Sequence, residues 1–297
     1  MAPKADILCI GSVLWDVIGR TASHMRVGSD VPGRISRVPG GVAMNIAMTL
    51  TRFGVAPALL TAIGQDEEGQ ELLSAASQMG MITNYIYRSA DLPTDVYMAI
   101  EGANGLVAAL ADAHSLEAAG DKILHPLSDG RLASAQSPYR GIIALDGNLT
   151  QSLLTEISES SLFCAADLRV APASPGKAER LLPLLRHPRA TLYVNLEEAG
   201  LICKAEFNSA ADAAQALTAR GATRALVTDG ARPAALASAG QLWCESPPEV
   251  LVTRVTGAGD TFMASHIAAE IRGVSGAEAL HVALVTAANY VSGETSL

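Results

Sequence analysis

Short apolar runs alternate with stretches of helical spacing along most of this chain. The runs DILCIGSV (6–13), VAPALLTAIG (55–64), GIIALDG (141–147), SLFCAADL (161–168), ATLYVN (190–195), RALVTDG (224–230) and AALAS (234–238) read as strands bounded by glycine or polar turns. Segments such as PGGVAMNIAMTLTRF (39–53) and EEGQELLSAASQMG (67–80) read as helices closed by glycine. A strand, a helix and a further strand return the chain across a sheet, so the strands lie parallel with helices on both faces. The expected fold is α/β: three α/β/α layers around a mostly parallel central sheet. With 49% apolar and 17% charged residues among 297, the chain can bury such a sheet on both sides. No internal repeat or low-complexity linker divides it, so one domain is expected over 1–297.

Two stretches break the alternation. Residues 15–38 mix short apolar pieces with Gly and Pro. Residues 94–112 hold two strand-like runs, DVYMAIE and GLVAALA, joined at Gly102–Asn104. They predict a small extra sheet beside the main one.

The formal charge of −9 argues against nucleic acid as the main partner, since nothing broadly positive is present to neutralise a phosphate backbone. It leaves room for a small phosphate ligand, which needs only one local cluster of donors. No apolar run reaches ~18 residues, so no membrane span is expected, and the N-terminal MAPKADILCIGSV lacks the shape of a signal peptide. Cys9, Cys164, Cys203 and Cys244 form no C-x-x-C pair, which argues against structural zinc and for reduced thiols in the cytoplasm. None of the six histidines pairs with another at metal spacing.

The segment 252–271, VTRVTGAGDTFMASHIAAEI, carries the strongest chemistry. It reads as a strand that turns into a helix through Gly257, Ala258 and Gly259. Such a turn leaves backbone N–H groups free at a helix start, an anion site that would stabilise charge on a transferring phosphoryl group. Asp260 sits at the same mouth. It either charges the helix start or accepts the proton of an attacking hydroxyl, and this motif alone does not separate the two. A second constellation is PGGVAMN (39–45): Gly40 and Gly41 allow close backbone approach to a ligand, and Asn45 offers an amide donor and acceptor in the first helical turn. Upstream, Gly11-Ser12 ends the first strand and Asp16 follows, a carboxylate able to bind a diol or simply a surface acid. Ligands of open α/β sheets bind at such strand ends.

Together these residues resemble the ribokinase-like (pfkB-type) family of sugar and nucleoside kinases. PGGVAMNIAMTLTRFG (39–54) is similar to the family's N-terminal signature and VTGAGDTFMA (255–264) to its C-terminal one. Asn195-Leu-Glu-Glu198 is similar to its N-x-x-E element. The resemblance implies a ribokinase-like fold, ATP and Mg²⁺ as cofactors, and Asp260 as the base with the backbone of Gly257, Ala258 and Gly259 as anion hole. It implies substrate contacts at Ser12, Asp16, Gly40, Gly41, Asn45, Asp112 and Asn148. Nucleotide contacts are implied at Asn195, Thr228, Gly230, Gly257, Gly259 and Asn289, and magnesium near Asn195 and Glu198. The segments 15–38 and 94–112 would form a lid over the sugar and a homodimer interface.

Pro32-Gly33-Arg34-Ile35, Asp146-Gly147-Asn148 and the stretch Ala109 to Ser115 with Asp112 resemble pseudouridine kinases in particular. The resulting expectation is transfer of phosphate from ATP to the 5′-hydroxyl of a nucleoside or ribose-like sugar. Another sugar kinase of the family, or a non-catalytic sensor on the same fold, are the other readings. Retention of Asp260 beside an intact Gly257–Gly259 loop argues against the sensor.

Some positions depart from the family pattern. Arg254 stands where many relatives carry an aspartate that helps bind a monovalent cation; an arginine cannot ligate a cation, which argues against potassium activation. Arg232-Pro233 follows the nucleotide wall where relatives often have glycine, and proline donates no N–H. Lys177 and Arg180 read as a solvated helix start, and Phe262, Met263, His266, Ile267 and Ile271 as a core stripe.

Overall fold

Side-chain alternation along the first strand decides the architecture. In β1 (Ile7–Ile10) all four side chains are fully buried, Leu8 and Ile10 in one core and Ile7 and Cys9 in the other. A strand buried on both faces has to be covered by helices on both. The computed structural model describes residues 4–26, 28–103 and 105–294.

After β1 the chain crosses at Gly11–Val13 into β2 (Leu14–Arg20) and β3 (Arg34–Gly40), then turns into α1 (Val42–Arg52). β4 (Pro57–Leu60), β5 (Ala62–Gly64), α2 (Glu67–Gln78) and β6 (Tyr87–Ser89) follow, then β7 (Val96–Gly102), β8 (Gly105–Asp112), α3 (Ser115–Ala119) and a 3₁₀ segment, Gly120–Leu127. The second half runs β9 (Ile142–Asp146), α4 (Gln151–Glu159), β10 (Asp167–Ala171), a 3₁₀ segment (Pro175–Arg186), β11 (Ala190–Asn195), α5 (Leu196–Cys203), α6 (Ala210–Ala219) and β12 (Arg224–Asp229). It closes with β13 (Arg232–Ser238), β14 (Gln241–Glu245), α7 (Ala258–Ile271) and α8 (Gly276–Ser292).

The main sheet has the order β14-β13-β12-β11-β10-β9-β1-β4, parallel from β4 to β12, with β13 and β14 antiparallel at one edge. One face packs against Leu50 of α1, Met263 and Ile267 of α7 and Leu280 of α8; the other packs against Leu154 of α4, Ile202 of α5 and Leu217 of α6. A second sheet, β3-β2-β7-β8, is built from the two stretches that broke the alternation. No helix among the described residues is long and apolar enough to cross a membrane.

Several expectations are corrected. The strand expected at 161–168 runs instead from Asp167 to Ala171, because Phe163 buries itself from a turn rather than from a strand. VAPALLTAIG breaks after Leu60 into strands of two different sheets. No strand leads into the Gly257 turn: residues 246–252 carry no regular structure, and Leu251 and Val252 are exposed. Ile271 lies outside the core stripe, 40% exposed.

Under α7 lies a buried ionic network. Arg169 of β10 donates to both oxygens of Asp167 (2.7 and 2.6 Å), to Tyr193 Oη (3.2 Å) and to Glu270 of α7. Arg224 of β12 donates to Glu270 Oε1 at 2.5 Å. Burial opposes the Glu270 charge, but the hydrogen bond from Arg224 and the charge of Arg169 outweigh it and hold the carboxyl at about 2. Burial pushes His266 down to about 3, so its ring is neutral. Tyr193 Oη accepts from Arg169, which leaves its proton for His266 Nδ1 at 2.9 Å. The network fixes the C-terminal half of α7 on β10, β11 and β12, and so sets where the N-terminus of the helix points.

Candidate active site

The site gathers at the C-terminal ends of the parallel strands. β9 ends in Asp146, fully buried. Its Oδ2 accepts from Ser12 N (2.7 Å) and Ser12 Oγ (2.5 Å), and its Oδ1 accepts from Asn148 N (2.7 Å). Gly11 makes room for it: at φ +150° a Cβ there would sit 2.2 Å from Asp146 Cβ. Ser12 Oγ also accepts from Val42 N at 2.9 Å, the first N–H of α1. Gly41, the N-cap residue, has no side chain to do this, so a serine 30 residues upstream caps the helix. Asn148 Nδ2 donates to Ser12 Oγ (3.0 Å), and its Oδ1 accepts from Lys177 Nζ (2.5 Å). Ser12 and Asn148 are thus joined in a brace around Asp146. Lys177 and Arg180 are not a solvated helix start: Arg180 donates to the carbonyls of Asn148 and Leu149 and to Glu117.

That brace presents Asn45 on the first turn of α1. Its Nδ2 donates to Asp260 Oδ2 at 2.9 Å. Burial raises the Asp260 carboxyl to about 7, and the charges of Asp146, Asp16 and Glu198 add to the rise while the Asn45 amide opposes it. Asp16 on β2 is held at about 6 by burial, and no protein donor meets its carboxylate among the described residues. Gly40 accommodates it: a Cβ at 40 would lie 2.0 Å from Asp16 Oδ2.

The loop before α7 differs in detail from expectation. Gly257 adopts φ +86°. Ala258 N donates to Val255 O at 3.0 Å, so its N–H is not free. The amides of Gly257, Gly259 and Asp260 meet no backbone acceptor, and nothing in the protein occupies the place of a Gly259 side chain. Asp260 therefore supplies a free amide where Ala258 was expected. Tyr290 of α8 holds the loop: its Oη donates to Thr256 O at 2.9 Å and would lie 2.6 Å from a Cβ on Gly257. Arg254 donates through Nε to Tyr290 O (2.7 Å), with its guanidinium 3.8 Å from the Tyr290 ring centre. It is neither solvent-facing nor a cation ligand.

Asn195 and Glu198 form a reciprocal cap on α5: Asn195 Oδ1 accepts from Glu198 N, and Glu198 Oε2 accepts from Asn195 N, both at 2.8 Å. Burial raises the Glu198 carboxyl to about 7. One oxygen of each side chain is thereby engaged. Among the described residues no three His, Cys, Asp or Glu groups converge as a metal cage. A single carboxylate backed by an amide fits magnesium held largely through water and substrate phosphate, the usual mode for that ion.

Thr228 lies beside Asn195 in register on β12, and Gly230 forms the exposed β12–β13 turn at φ +59°. Asp112 does not join the group. Tyr97 and Ala111 share the row of Asp16, so the exposed Asp112 projects from the other face of the second sheet. Asn289 lines a separate cavity with Arg254. Sequence reasoning did not single out Asp146 or Tyr290, whose roles depend on contacts across 134 and 34 residues. Their residue types carry no local signal; only the Asp146-Gly147-Asn148 spacing hinted at the first.

Comparisons with known proteins identify relatives of the whole chain. A family model described as pfkB family carbohydrate kinase matches residues 4–295. The pseudouridine kinase of Escherichia coli (strain K12) is 26% identical over 291 residues, which cover 95% of this chain and 89% of that protein. Among solved structures, a carbohydrate kinase from Agrobacterium tumefaciens superposes with a TM-score of 0.81 at 26% identity, over 99% of this chain and 94% of the other. Arabidopsis thaliana ribokinase complexed with ribose and ATP gives 0.77 at 20% identity, over 98% and 93%.

Proposed function

The chain belongs to the pfkB family of carbohydrate kinases, phosphotransferases that act on hydroxyl groups, and on that footing we propose that it phosphorylates the 5′-hydroxyl of a nucleoside or ribose-like sugar with ATP, and that pseudouridine is its preferred acceptor. The hydrogen bond between Asn45 and Asp260, beside three free amides, carries the reading. Asp260, held near 7, takes the hydroxyl proton as the acceptor oxygen bonds to the γ-phosphorus. The bond from that phosphorus to the β-phosphate oxygen breaks, and ADP leaves. The amides of Gly257, Gly259 and Asp260 stabilise the charge on the transferring group. Magnesium, when bound near Asn195 and Glu198, neutralises the phosphate oxygens. Thr228 and Gly230 are the candidates for the nucleotide side, whereas Asn289 lines the separate cavity beside Arg254. Potassium plays no part in this reading, since the Arg254 guanidinium is fixed on Tyr290.

Asp16, unpaired and facing the site, would bind the sugar diol, and the second sheet would act as a lid that excludes water. Ile35, Met98 and Leu110 share the opposite face of that sheet, 80%, 46% and 69% exposed, which supports a homodimer through the lid. Pseudouridine is favoured by the similarity to the Escherichia coli enzyme and by Pro32-Gly33-Arg34-Ile35 and Asp146-Gly147-Asn148. An ADP-release assay with pseudouridine, uridine, adenosine, ribose and fructose side by side tests this. The expected outcome is the highest kcat/KM for pseudouridine; a higher value for any other acceptor overturns the assignment.

A further inference from the structure

Ser12 is 4% exposed, and its bonds are all made within the chain. A serine hydroxyl has one proton to donate and two lone pairs to accept with. All three are taken: Oγ donates to Asp146 Oδ2 at 2.5 Å and accepts from Val42 N at 2.9 Å and from Asn148 Nδ2 at 3.0 Å. The Ser12 amide donates to the same Asp146 oxygen at 2.7 Å, and the Ser12 carbonyl accepts from Met44 N at 3.3 Å. The family resemblance implies a substrate contact at Ser12, but the hydroxyl has nothing left to make one.

Two of the first three N–H groups of α1, those of Val42 and Met44, end on this one serine. A helix begins with N–H groups that have no partner inside it, and Gly41, the N-cap, brings no side chain to supply one. Gly41 and Ser12 fit each other: at φ +94° a Cβ on Gly41 would lie 2.5 Å from Ser12 O. Asn45 N then donates to Gly41 O at 2.8 Å and closes the first turn. The side chain of the same residue donates to Asp260 Oδ2 at 2.9 Å. Contacts therefore run unbroken from Asp146 through Ser12 and the first turn of α1 to Asn45 and Asp260.

We propose that Ser12, fixed by Asp146, is a positioning residue for Asp260: it sets the first turn of α1 so that the Asn45 amide stays on the carboxylate, and it does not touch the acceptor. The inference takes Asp260 as the base from the proposed function, and its main test needs no turnover. The carboxyl signal of Asp260, assigned by its loss in Asp260→Asn, is titrated by carbon-13 NMR in the wild type, Ser12→Ala, Asn45→Leu and the double variant. The titratable groups that act on Asp260 are Asp16 of β2, Asp146 of β9, Glu198 of α5 and Tyr290 of α8, and the series leaves all four in place. The Asn45 donor favours the ionised carboxyl, so loosening it in Ser12→Ala should raise the midpoint, in the direction of Asn45→Leu. In the Asn45→Leu background the serine change should add nothing. An unmoved midpoint in Ser12→Ala overturns the proposal. So does a shift of the same size in the Asn45→Leu background, because Ser12 would then act through Asp146 rather than through Asn45. Ser12→Cys keeps the volume with a weaker donor and acceptor and gives the same reading should the smaller side chain fail to fold. Initial rates add a second measure: with the acceptor that turns over best, kcat should fall ~10-fold, the scale of one lost cap, at unchanged acceptor KM. A raised KM at unchanged kcat would return Ser12 to the acceptor pocket and overturn the proposal. Absence of turnover with every acceptor sinks the kinase reading and leaves the titration standing, so the two failures are separable.

Discussion

Asn45 Nδ2 donates to Asp260 Oδ2 at 2.9 Å, joining the first turns of α1 and α7 across 215 residues of chain. The amide orients one carboxylate oxygen and leaves the other for a ligand. It also opposes, without cancelling, the burial that raises the carboxyl to about 7.

Replacing Asp260 by Asn should lower turnover at least ~10²-fold with nucleotide binding retained, the usual contribution of a general base. The same variant should be more heat-stable than the wild type at pH 8. The folded carboxyl titrates near 7 against 3.8 for the free group, so the wild type loses stability as pH rises between those values. The gap in Tm should close as pH falls toward 4. Near-wild-type kcat would remove Asp260 from the chemistry.

Asn45→Leu removes the donor that favours the charged form of Asp260. The acid limb of kcat/KM should therefore move to higher pH, since more base is needed to ionise the carboxyl. A pH–rate profile measures it, and an unmoved limb would mean that another group sets it.

Gly40→Ala places a methyl 2.0 Å from Asp16 Oδ2 as the chain stands. Either Asp16 or β3 must shift. The expected outcome is a raised KM for the acceptor with the KM for ATP unchanged, read from initial rates against each substrate.

Glu270→Gln leaves Arg169 buried without its charge partner on α7. Removing one member of a buried ion pair costs about 3–5 kcal/mol, and the partial exposure of Arg224 places this case near the lower end. Denaturant unfolding should show a loss of about 3 kcal/mol. A loss near zero would mean that Asp167 alone balances Arg169.

The legible parts of this molecule were those coded by neighbouring residues. ATLYVN is a strand over the expected bounds, Ala190–Asn195, because all its inward residues lie within six positions. The Gly-Gly–Asn and Gly-Ala-Gly–Asp segments announced themselves because glycine at a helix start has few uses. Phe163 misled because burial from a turn looks, in sequence, like burial from a strand. Leu251 and Val252 misled in the opposite sense, apolar yet exposed. QLWCE carries little strand signal because β14 is an edge strand with exposed Gln241 and Leu242, so its alternation is weak. The Ser12 cap of α1, the Asp146 brace and the Tyr290 bracket join residues distant in sequence, and no local pattern encodes a partner 30 or 134 positions away.

The second sheet is spliced into the main one by very short connections: Gly11–Val13 between β1 and β2, and Gly41 alone between β3 and α1. Ser12 lies in the first, and its hydroxyl bonds the residue that follows the second. An exchange of this sheet for that of another family member would thus cut through the serine cap and the start of the helix that carries Asn45. On the proposed function, acceptor preference and the alignment of Asp260 are therefore inherited as one unit, and an engineered change of substrate has to come from single side chains on β2, β3 and β7 rather than from module swapping.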